Sequence, residues 1–259
     1  MTDNIRNTSM FEAPNKNSNI KKIYAVMSGK GGVGKSLTTS LLASGMNKKG
    51  FKVGILDGDV TGPSIPKGFN LKGPAMATNE GTFPVETDSG IKVMSTNILL
   101  NNETDAVLWR APIINQMIKT FWTNINWGDL DYLFIDMPPG TGDVPLTVFQ
   151  TIPIDGVIIV TSPQNLVTMI VEKSLNMAKS MDIPIMGIVE NMSYFKCPSC
   201  GEKHSVFGES NIEEVSKNLG TEVVAKLPID PEISKKVDSG RVEEIDSVFY
   251  LNYLLEKLM

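Results

Sequence analysis

Residues 22–50 read KIYAVMSGKGGVGKSLTTSLLASGMNKKG, which is an apolar run, a glycine-rich turn and a segment with helical spacing. This order predicts a strand, a tight turn and a helix. Similar apolar runs recur at KVGILD (52–57), DYLFID (131–136), GVIIVTS (156–162), IMGIVENM (185–192) and TEVVAKLP (221–228), and helical spacing returns in NLVTMIVEKSLNMAKSM (165–181). The alternation predicts an α/β fold in which helices cover both faces of a mostly parallel, twisted sheet.

The composition and net charge of the chain exclude several classes of protein. The chain has 259 residues, of which 41% are hydrophobic, so it can build one large core. Its formal net charge of -5 argues against a nucleic-acid partner, because such proteins present a basic surface. No apolar run approaches the ~20 residues that span a bilayer, and the N-terminus, MTDNIRNTSM, is polar. We therefore expect a cytoplasmic protein with neither a membrane nor a nucleic-acid partner.

Three segments lie outside this alternation. Residues 1–20 are rich in Asn and Ser and predict a mobile tail, which leaves a single domain over residues 21–259. The segment EGTFPVETDSGIKVMST (80–96) predicts a β-hairpin at the edge of the sheet. A packed C-terminal helix is predicted by residues near helical spacing, namely Ile245, Phe249, Leu251, Leu254, Leu255 and Leu258.

The sequence GKGGVGKS (29–36) satisfies the phosphate-binding pattern G-x-x-x-x-G-K-[ST] between a predicted strand and a predicted helix. Its glycines let successive backbone N–H groups converge on a phosphate, and the helix N-terminus adds partial positive charge. We expect Lys35 to reach the terminal phosphates and the Ser36 hydroxyl to bind Mg²⁺. The predicted nucleotide-binding residues of this loop are Gly29, Lys30, Gly31, Gly32, Val33, Gly34, Lys35, Ser36 and Leu37.

Acidic residues end two of the predicted strands, as metal-assisted phosphoryl transfer requires. Asp136 ends DYLFID, where a carboxylate can hold Mg²⁺ through water. Gly140 follows it and offers a backbone N–H to the γ-phosphate. Asp57 and Asp59 lie at the end of KVGILD, where turn formation alone would also explain them.

A second lysine, Lys30, lies inside the loop, where the simple motif needs no charge. The pattern resembles the deviant Walker A motif of the MinD, ParA and nitrogenase iron protein class, whose extra lysine reaches the phosphates of a partner subunit in a nucleotide-sandwich dimer. This resemblance implies that Lys30 stabilises charge in trans and that Asp59 orients the attacking water beside Mg²⁺. It also implies that Asn191 and the loop beginning at Pro228 recognise adenine.

The two cysteines, Cys197 and Cys200, form one Cys-x-x-Cys motif, whose spacing lets both thiolates face one metal centre. A closed tetrahedral centre needs four ligands, and the chain offers no other cysteine and a single histidine, His204. A two-fold dimer would place four thiolates on its axis. Zinc, an iron–sulfur cluster or a redox dithiol would each use such a pair.

The segments SGKGGVGKS, DGDVTGPS, VLWRAP, DMPPGTGD, VTSPQ and ENMSYFKCPSCG, in this order, resemble the Mrp/ApbC family of P-loop ATPases, which carry and transfer iron–sulfur clusters. The resemblance covers nearly all of residues 22–259. It implies a P-loop NTPase fold, slow ATP hydrolysis, and a homodimer that bridges a [4Fe-4S] cluster between its cysteine loops and passes it to apo-proteins. Ala111 stands where the family usually has glycine.

Two alternatives stay open at this stage. Zinc is an alternative occupant of the four-thiolate site, because it accepts the same ligands. A targeting ATPase for tail-anchored proteins is the alternative function, since that class also combines a deviant P-loop with a zinc-binding Cys-x-x-Cys, and the 14 methionines offer material for an apolar groove. Most of these methionines fall in apolar strands and helices, where core packing explains them.

Overall fold

The computed structural model describes residues 11–59, 64–72, 74–78, 81–99, 111–164 and 167–259, with the backbone alone for 111–112 and 167–170. The strands are β1 (Asn19–Met27), β2 (Val53–Asp57), β3 (Ala77–Thr78), β4 (Gly81–Thr82), β5 (Val85–Glu86), β6 (Lys92–Met94), β7 (Asp129–Asp136), β8 (Gly156–Thr161), β9 (Ile185–Lys196), β10 (Lys203–His204) and β11 (Val223–Ile229). The helices are α1 (Lys35–Lys48), α2 (Ile65–Gly68), α3 (Thr96–Leu99), α4 (Ala111–Thr123), α5 (Asp143–Thr151), α6 (Val167–Ser180), α7 (Ile212–Asn218), α8 (Pro231–Asp238) and α9 (Ser247–Leu258).

Within the described residues, the main sheet has nine strands in the order β10-β9-β8-β1-β7-β2-β6-β5, with β11 also paired to β9. The pairs among β1, β2, β6, β7, β8, β9 and β11 are parallel, whereas β10 and β5 each run antiparallel to their neighbour. Helices connect the central parallel strands, as the alternation in the sequence predicts. The predicted α/β fold with a mostly parallel sheet is confirmed.

The apolar side chains of each central strand divide between two cores. In β1, Ala25 and Met27 face one core, and Val26 faces the other. Helices α4, α5, α6 and α7 contribute to the first core, and α1, α2, α8 and α9 contribute to the second. Because successive side chains of a strand point to opposite faces, strands buried on both faces read as continuous apolar runs in the sequence.

The predicted edge hairpin and C-terminal helix are both present. Strands β5 and β6 pair antiparallel, and β5 lies at the edge of the sheet. Helix α9 buries Leu251, Leu254, Leu255 and Leu258, but the Phe249 side chain, which helical spacing placed with them, is 75% exposed. No helix in the described ranges is both long and apolar enough to cross a bilayer.

The described part of the predicted tail, residues 11–20, makes hydrogen bonds to distant parts of the chain. The Glu12 backbone N–H donates to the Thr151 carbonyl at 3.0 Å, and the Trp122 indole donates to the Glu12 carbonyl at 2.6 Å. Strand β1 already begins at Asn19. Composition missed these contacts because they depend on α4 and α5, more than a hundred residues away. The rest of the predicted tail, residues 1–10, lies outside the described residues, as does most of VLWRAP.

Replacing Leu255 with alanine is expected to destabilise the protein by about 2–5 kcal/mol, because Leu255 is fully buried against α1 and the smaller side chain leaves a cavity. The free energy of unfolding is measured by urea denaturation. The exposed Asn252→Ala substitution on the same helix serves as the control and should change stability by less than about 0.5 kcal/mol. Equal effects of the two substitutions would contradict the packing of α9 on α1.

Candidate functional site

The glycine-rich turn lies between the end of β1 and the first residue of α1, Lys35. Gly34 has φ +88°, a backbone conformation that disfavours every side chain. A Cβ at this position would also lie 2.0 Å from Asn191 Nδ2. Two constraints therefore require glycine at position 34: the positive φ and the Asn191 side chain that packs against this residue.

The buried carboxylate of Asp136 organises the start of α1. Its Oδ2 accepts a hydrogen bond from the Ser36 hydroxyl at 2.6 Å and lies 2.8 Å from the Lys35 ammonium. Its Oδ1 accepts a hydrogen bond from the Thr39 hydroxyl at 2.9 Å. The Asp136 side chain is fully buried and that of Lys35 is 6% exposed, so the pair is screened little by water. The structure thus brings the predicted phosphate lysine, magnesium serine and strand-end aspartate together.

Asp57 and Asp59 also lie near Lys35. Asp59 Oδ2 is 3.7 Å from the Lys35 ammonium, and the backbone N–H of Asp59 donates to Asp57 Oδ1 at 3.2 Å. Asp57 is fully buried and also accepts a hydrogen bond from the Ser95 hydroxyl at 3.0 Å. Burial raises the pKa of the Asp57 carboxyl well above its usual range, and the neighbouring Asp136 carboxylate adds to this rise. The segment 60–63, which follows Asp59, is outside the described residues.

Two groups that are predicted to contact phosphate, the Lys30 ammonium and the Gly140 N–H, donate hydrogen bonds to other groups of the protein. The Lys30 ammonium donates to the Gln164 side-chain oxygen at 2.9 Å, on the exposed side of the loop. The Gly140 backbone N–H donates to the Ser28 carbonyl at 2.8 Å, so it braces the turn at the end of β1. Because the Gly140 backbone has one N–H, a contact from it to a phosphate would replace the bond it makes here.

Asn191 and Pro228 occupy different positions relative to the loop. The Asn191 amide is buried and donates to the Val33 carbonyl at 3.0 Å, so it holds the P-loop directly. Pro228 pairs with Tyr194, three residues further along β9, and lines a groove of about 680 Å³ beside the cysteine-bearing turn. Of the two predicted adenine contacts, the Asn191 amide therefore supports the P-loop, whereas Pro228 lies beside the cysteine-bearing turn.

Both cysteines lie in the tight turn that joins β9 to β10. The Cys197 backbone N–H donates to the Glu202 carbonyl at 2.8 Å, and the Gly201 N–H donates to the Cys197 carbonyl at 2.9 Å. We call residues 194–209, which contain this turn, the thiol hairpin. Backbone N–H groups of Cys200 and Ser199 hold the pKa of the Cys197 thiol below its usual range, which favours the thiolate that binds metals.

The thiol hairpin offers an incomplete set of metal ligands. Cys200 is exposed and Cys197 partly exposed, and both are free. Within the described ranges, no group of three or more His, Cys, Asp or Glu side chains could hold a metal ion. His204 is exposed and lies on β10, opposite Phe195. One chain therefore presents two accessible thiols, which is half of a tetrahedral site.

Sequence reasoning missed the roles of Thr39 and Gln164. Thr39 lies three residues after Ser36, so it shares a helix face with the motif and reaches the same carboxylate. That spacing was a usable signal. Gln164 lies beyond β8, 134 residues from Lys30 in the sequence. No local pattern indicates such a pair, because only the parallel pairing of β1 with β8 brings the two loops together.

Comparison with known proteins identifies a family and individual relatives to which this chain is similar. The family model for ParA, described as NUBPL iron-transfer P-loop NTPase, matches residues 19–253. The iron-sulfur cluster carrier protein of Clostridium perfringens is 45% identical over 234 residues, which cover 87% of this chain and 82% of that protein. The structure of a nucleotide-binding protein from Archaeoglobus fulgidus in complex with ADP is 47% identical, has a TM-score of 0.80, and covers 90% of this chain and 92% of its own.

A third similarity concerns the fold alone. The cell division ATPase MinD of Pyrococcus furiosus has a TM-score of 0.65 at 20% identity, covering 92% of this chain and 98% of its own.

Replacing Asp57 with asparagine is expected to raise the free energy of unfolding at pH 7 by about 1 kcal/mol or more, because it removes a buried charge beside Asp136. A carboxyl group whose pKa is higher in the folded than in the unfolded state contributes its full stability below the unfolded value of about 4. That stability is lost as the pH rises toward the folded value.

The increase in the free energy of unfolding caused by Asp57→Asn should therefore become larger between about pH 4 and pH 7. Urea denaturation of both proteins across this range measures it. A gain that shrinks as the pH rises would contradict the raised pKa. Asp88→Asn, at an exposed position in the β5–β6 turn, is the matched control.

Proposed function

Since this chain belongs to the ParA family of NUBPL iron-transfer P-loop NTPases, we propose that it carries an iron–sulfur cluster and transfers it to apo-proteins under the control of ATP. The observation that carries this proposal is a single strand, β9. It braces the P-loop through Asn191 and ends at Lys196, directly before Cys197. The proposed nucleotide site and the proposed cargo site therefore lie along one strand. The relative at 45% identity, an iron-sulfur cluster carrier protein, supports this assignment of the cargo.

The substrate of the P-loop is ATP in this proposal. The loop ends at the N-terminus of α1, which favours anionic groups. Lys35 is buried at that point, where its charge is strong because water is largely excluded. The Archaeoglobus fulgidus relative in complex with ADP supports nucleotide as the ligand.

The oxygen atoms near Lys35 fit Mg²⁺. Ser36 and Asp136 already share a hydrogen bond, and Asp59 Oδ2 lies 3.7 Å from the lysine ammonium. Mg²⁺ prefers hard oxygen ligands and commonly takes one or two from the protein while phosphates and waters supply the others. Ser36 and Asp136 would hold the ion, with Asp59 beside it. The bound ion would neutralise charge that develops on the phosphates.

Hydrolysis in this proposal uses residues from two copies of the chain. Lys35 holds the terminal phosphates, Asp59 orients the attacking water, and Lys30 of each copy leaves Gln164 to stabilise charge at the partner's phosphates. The contact with Gln164 supports this role, because it extends the exposed Lys30 side chain away from its own loop to the loop that follows β8. Slow turnover suits a control function, because the ATP-bound state then persists.

The cargo in this proposal is a [4Fe-4S] cluster held by four thiolates, two from each copy of the chain. Cys197 and Cys200 supply half of that set from an accessible turn. A two-fold symmetric pair of hairpins would complete it on the axis. An exposed position also suits transfer, since the thiols of an apo-protein must reach the cluster.

The targeting ATPase for tail-anchored proteins is not favoured. That function needs a large exposed groove, and methionines are suited to line one. Among the described residues, the strongly exposed methionines are Met76 and the C-terminal Met259, and neither lies within an exposed helix. Of the other described methionines, Met27, Met46, Met94 and Met137 are buried in the two cores, and Met117, Met177, Met181 and Met186 pack against them.

Anaerobic reconstitution with iron and sulfide tests the cargo. The protein should bind about four irons and four acid-labile sulfides per dimer, and Cys200→Ser should abolish this binding. Ser205→Ala, on the same hairpin, is the matched control and should bind a full cluster. Stoichiometric zinc without labile sulfide would overturn the cluster assignment in favour of a structural metal. The Lys35→Ala protein should no longer activate an apo-acceptor in an ATP-dependent manner. If it still did, control of cluster transfer by ATP bound at the P-loop would be overturned.

Lys30→Ala is expected to bind ATP with an affinity within a few fold of the unsubstituted protein and to hydrolyse it at least ~100-fold more slowly, because charge stabilisation in trans is lost. Steady-state phosphate release and nucleotide titration measure the two effects. Lys16→Ala, at an exposed position away from the loop, is the control and should behave as the unsubstituted protein. Full turnover by Lys30→Ala would exclude the trans role.

A further inference from the structure

Glu190 is fully buried, two strands away from the P-loop strand β1. Its carboxylate accepts hydrogen bonds from the Ser193 hydroxyl at 2.5 Å and from the Ser210 hydroxyl. These two serines stand directly before and after the thiol hairpin. We call Glu190, Ser193 and Ser210 the clasp, because together they close the base of the hairpin.

The clasp is chemically unusual. In the described part of the chain, no Lys, Arg or His lies within ion-pairing distance of Glu190. A buried carboxylate without a countercharge is costly, and an apolar side chain would close the hairpin at lower cost. The clasp therefore joins the two serines through one buried carboxyl group.

The backbone between Asn191 and Ser193 is also unusual. Met192 has φ +56°, a left-handed conformation that is uncommon for a residue with a side chain. At the same place the register of β9 against β11 shifts, because the step from Glu190 to Tyr194 lies opposite the shorter step from Lys226 to Pro228. Bulges re-aim a strand, and strain of this kind clusters at switch regions.

The bulge separates the two sites. Asn191, on its P-loop side, donates to the Val33 carbonyl at 3.0 Å. Ser193, on its thiol side, is held by the clasp, and Ser210 also accepts a hydrogen bond from the Ile212 N–H at the start of α7. Asn191, which contacts Val33, therefore lies next to Glu190, whose carboxyl group contacts both serines at the base of the thiol hairpin.

We propose that Glu190 is a positioning residue that transmits the state of the P-loop to the thiol hairpin across the Met192 bulge. The inference rests on the proposed function and deepens it, since it names the element that couples nucleotide to cargo. Such coupling requires that the hairpin have different arrangements in the two nucleotide states. The clasp attaches the base of the thiol hairpin to β9. A shift of Asn191 therefore moves the two thiols, because the turn cannot move independently of the strand.

Alkylation of Cys197 and Cys200 in the full-length chain tests this coupling without any cluster. The rate is measured by mass spectrometry with and without Mg²⁺ and a non-hydrolysable ATP analogue at saturation. In the unsubstituted protein the analogue should change the rate by roughly 5-fold or more. In the Ser193→Ala/Ser210→Ala protein the change should fall below about 2-fold, while the affinity for the analogue stays within about 2-fold. Ser205→Ala is the matched control and should keep the full response.

The outcomes separate coupling from simple support of the fold. A merely structural clasp would alter the alkylation rate equally with and without the analogue and leave their ratio unchanged, which would overturn the proposal. An unsubstituted protein whose thiols ignore the analogue would also overturn it. If the double variant is unfolded by circular dichroism, Ser210→Ala alone gives the same test.

A failure of the proposed function would look different. In that case the thiols of the unsubstituted protein would respond to the analogue, but reconstitution would yield no cluster.

Discussion

The buried carboxylate of Asp136 is the constraint on which the site depends. It ends β7, the central strand that pairs with both β1 and β2, and it contacts Lys35, Ser36 and Thr39. A buried charge must be paired and hydrogen-bonded, so the start of α1 has to stand over the end of β7. That requirement sets the turn between β1 and α1, and with it the conformation of Gly34. The same atoms that stabilise the loop are the ones that the proposed phosphoryl transfer uses.

A parallel sheet then determines what else lies near the loop. Because the carboxyl ends of parallel strands share one edge, β1, β2, β7, β8 and β9 deliver Lys30, Asp59, Asp136, Gln164 and Asn191 to a single region. Strand β9 differs from the others because it continues beyond this edge to Lys196, directly before Cys197. The thiols are thus held apart from the phosphate loop yet connected to it by one strand. In the proposed function, this separation allows the chemistry at one end to proceed without touching the cargo at the other.

The sequence predicts those features whose signal is local. Continuous apolar runs gave the parallel strands, the glycine pattern gave the loop, and Cys-x-x-Cys spacing gave two thiols in one turn. The side-chain partners were not predictable, because Asn191 with Val33, Lys30 with Gln164, and Trp122 with Glu12 join residues more than a hundred positions apart. Phe249 shows the converse, since its helical spacing is right and its side chain is nevertheless exposed. Glu190 gave no signal either, because within an apolar strand its partners Ser193 and Ser210 are recognisable only after the hairpin folds back.

Two thiols per chain give the proposed carrier a property that a four-cysteine monomer would lack. A cluster bridging two copies stabilises the dimer, and ATP that clamps two copies stabilises the same dimer. Linkage then makes the effects reciprocal, so that a bound cluster must tighten ATP binding by the factor with which ATP tightens cluster binding. Hydrolysis removes one of the two clamps and leaves the cluster held by thiolates alone, at an exposed turn that competing thiols can reach. Release to an acceptor thus follows from the loss of a shared constraint and needs no separate ejecting element.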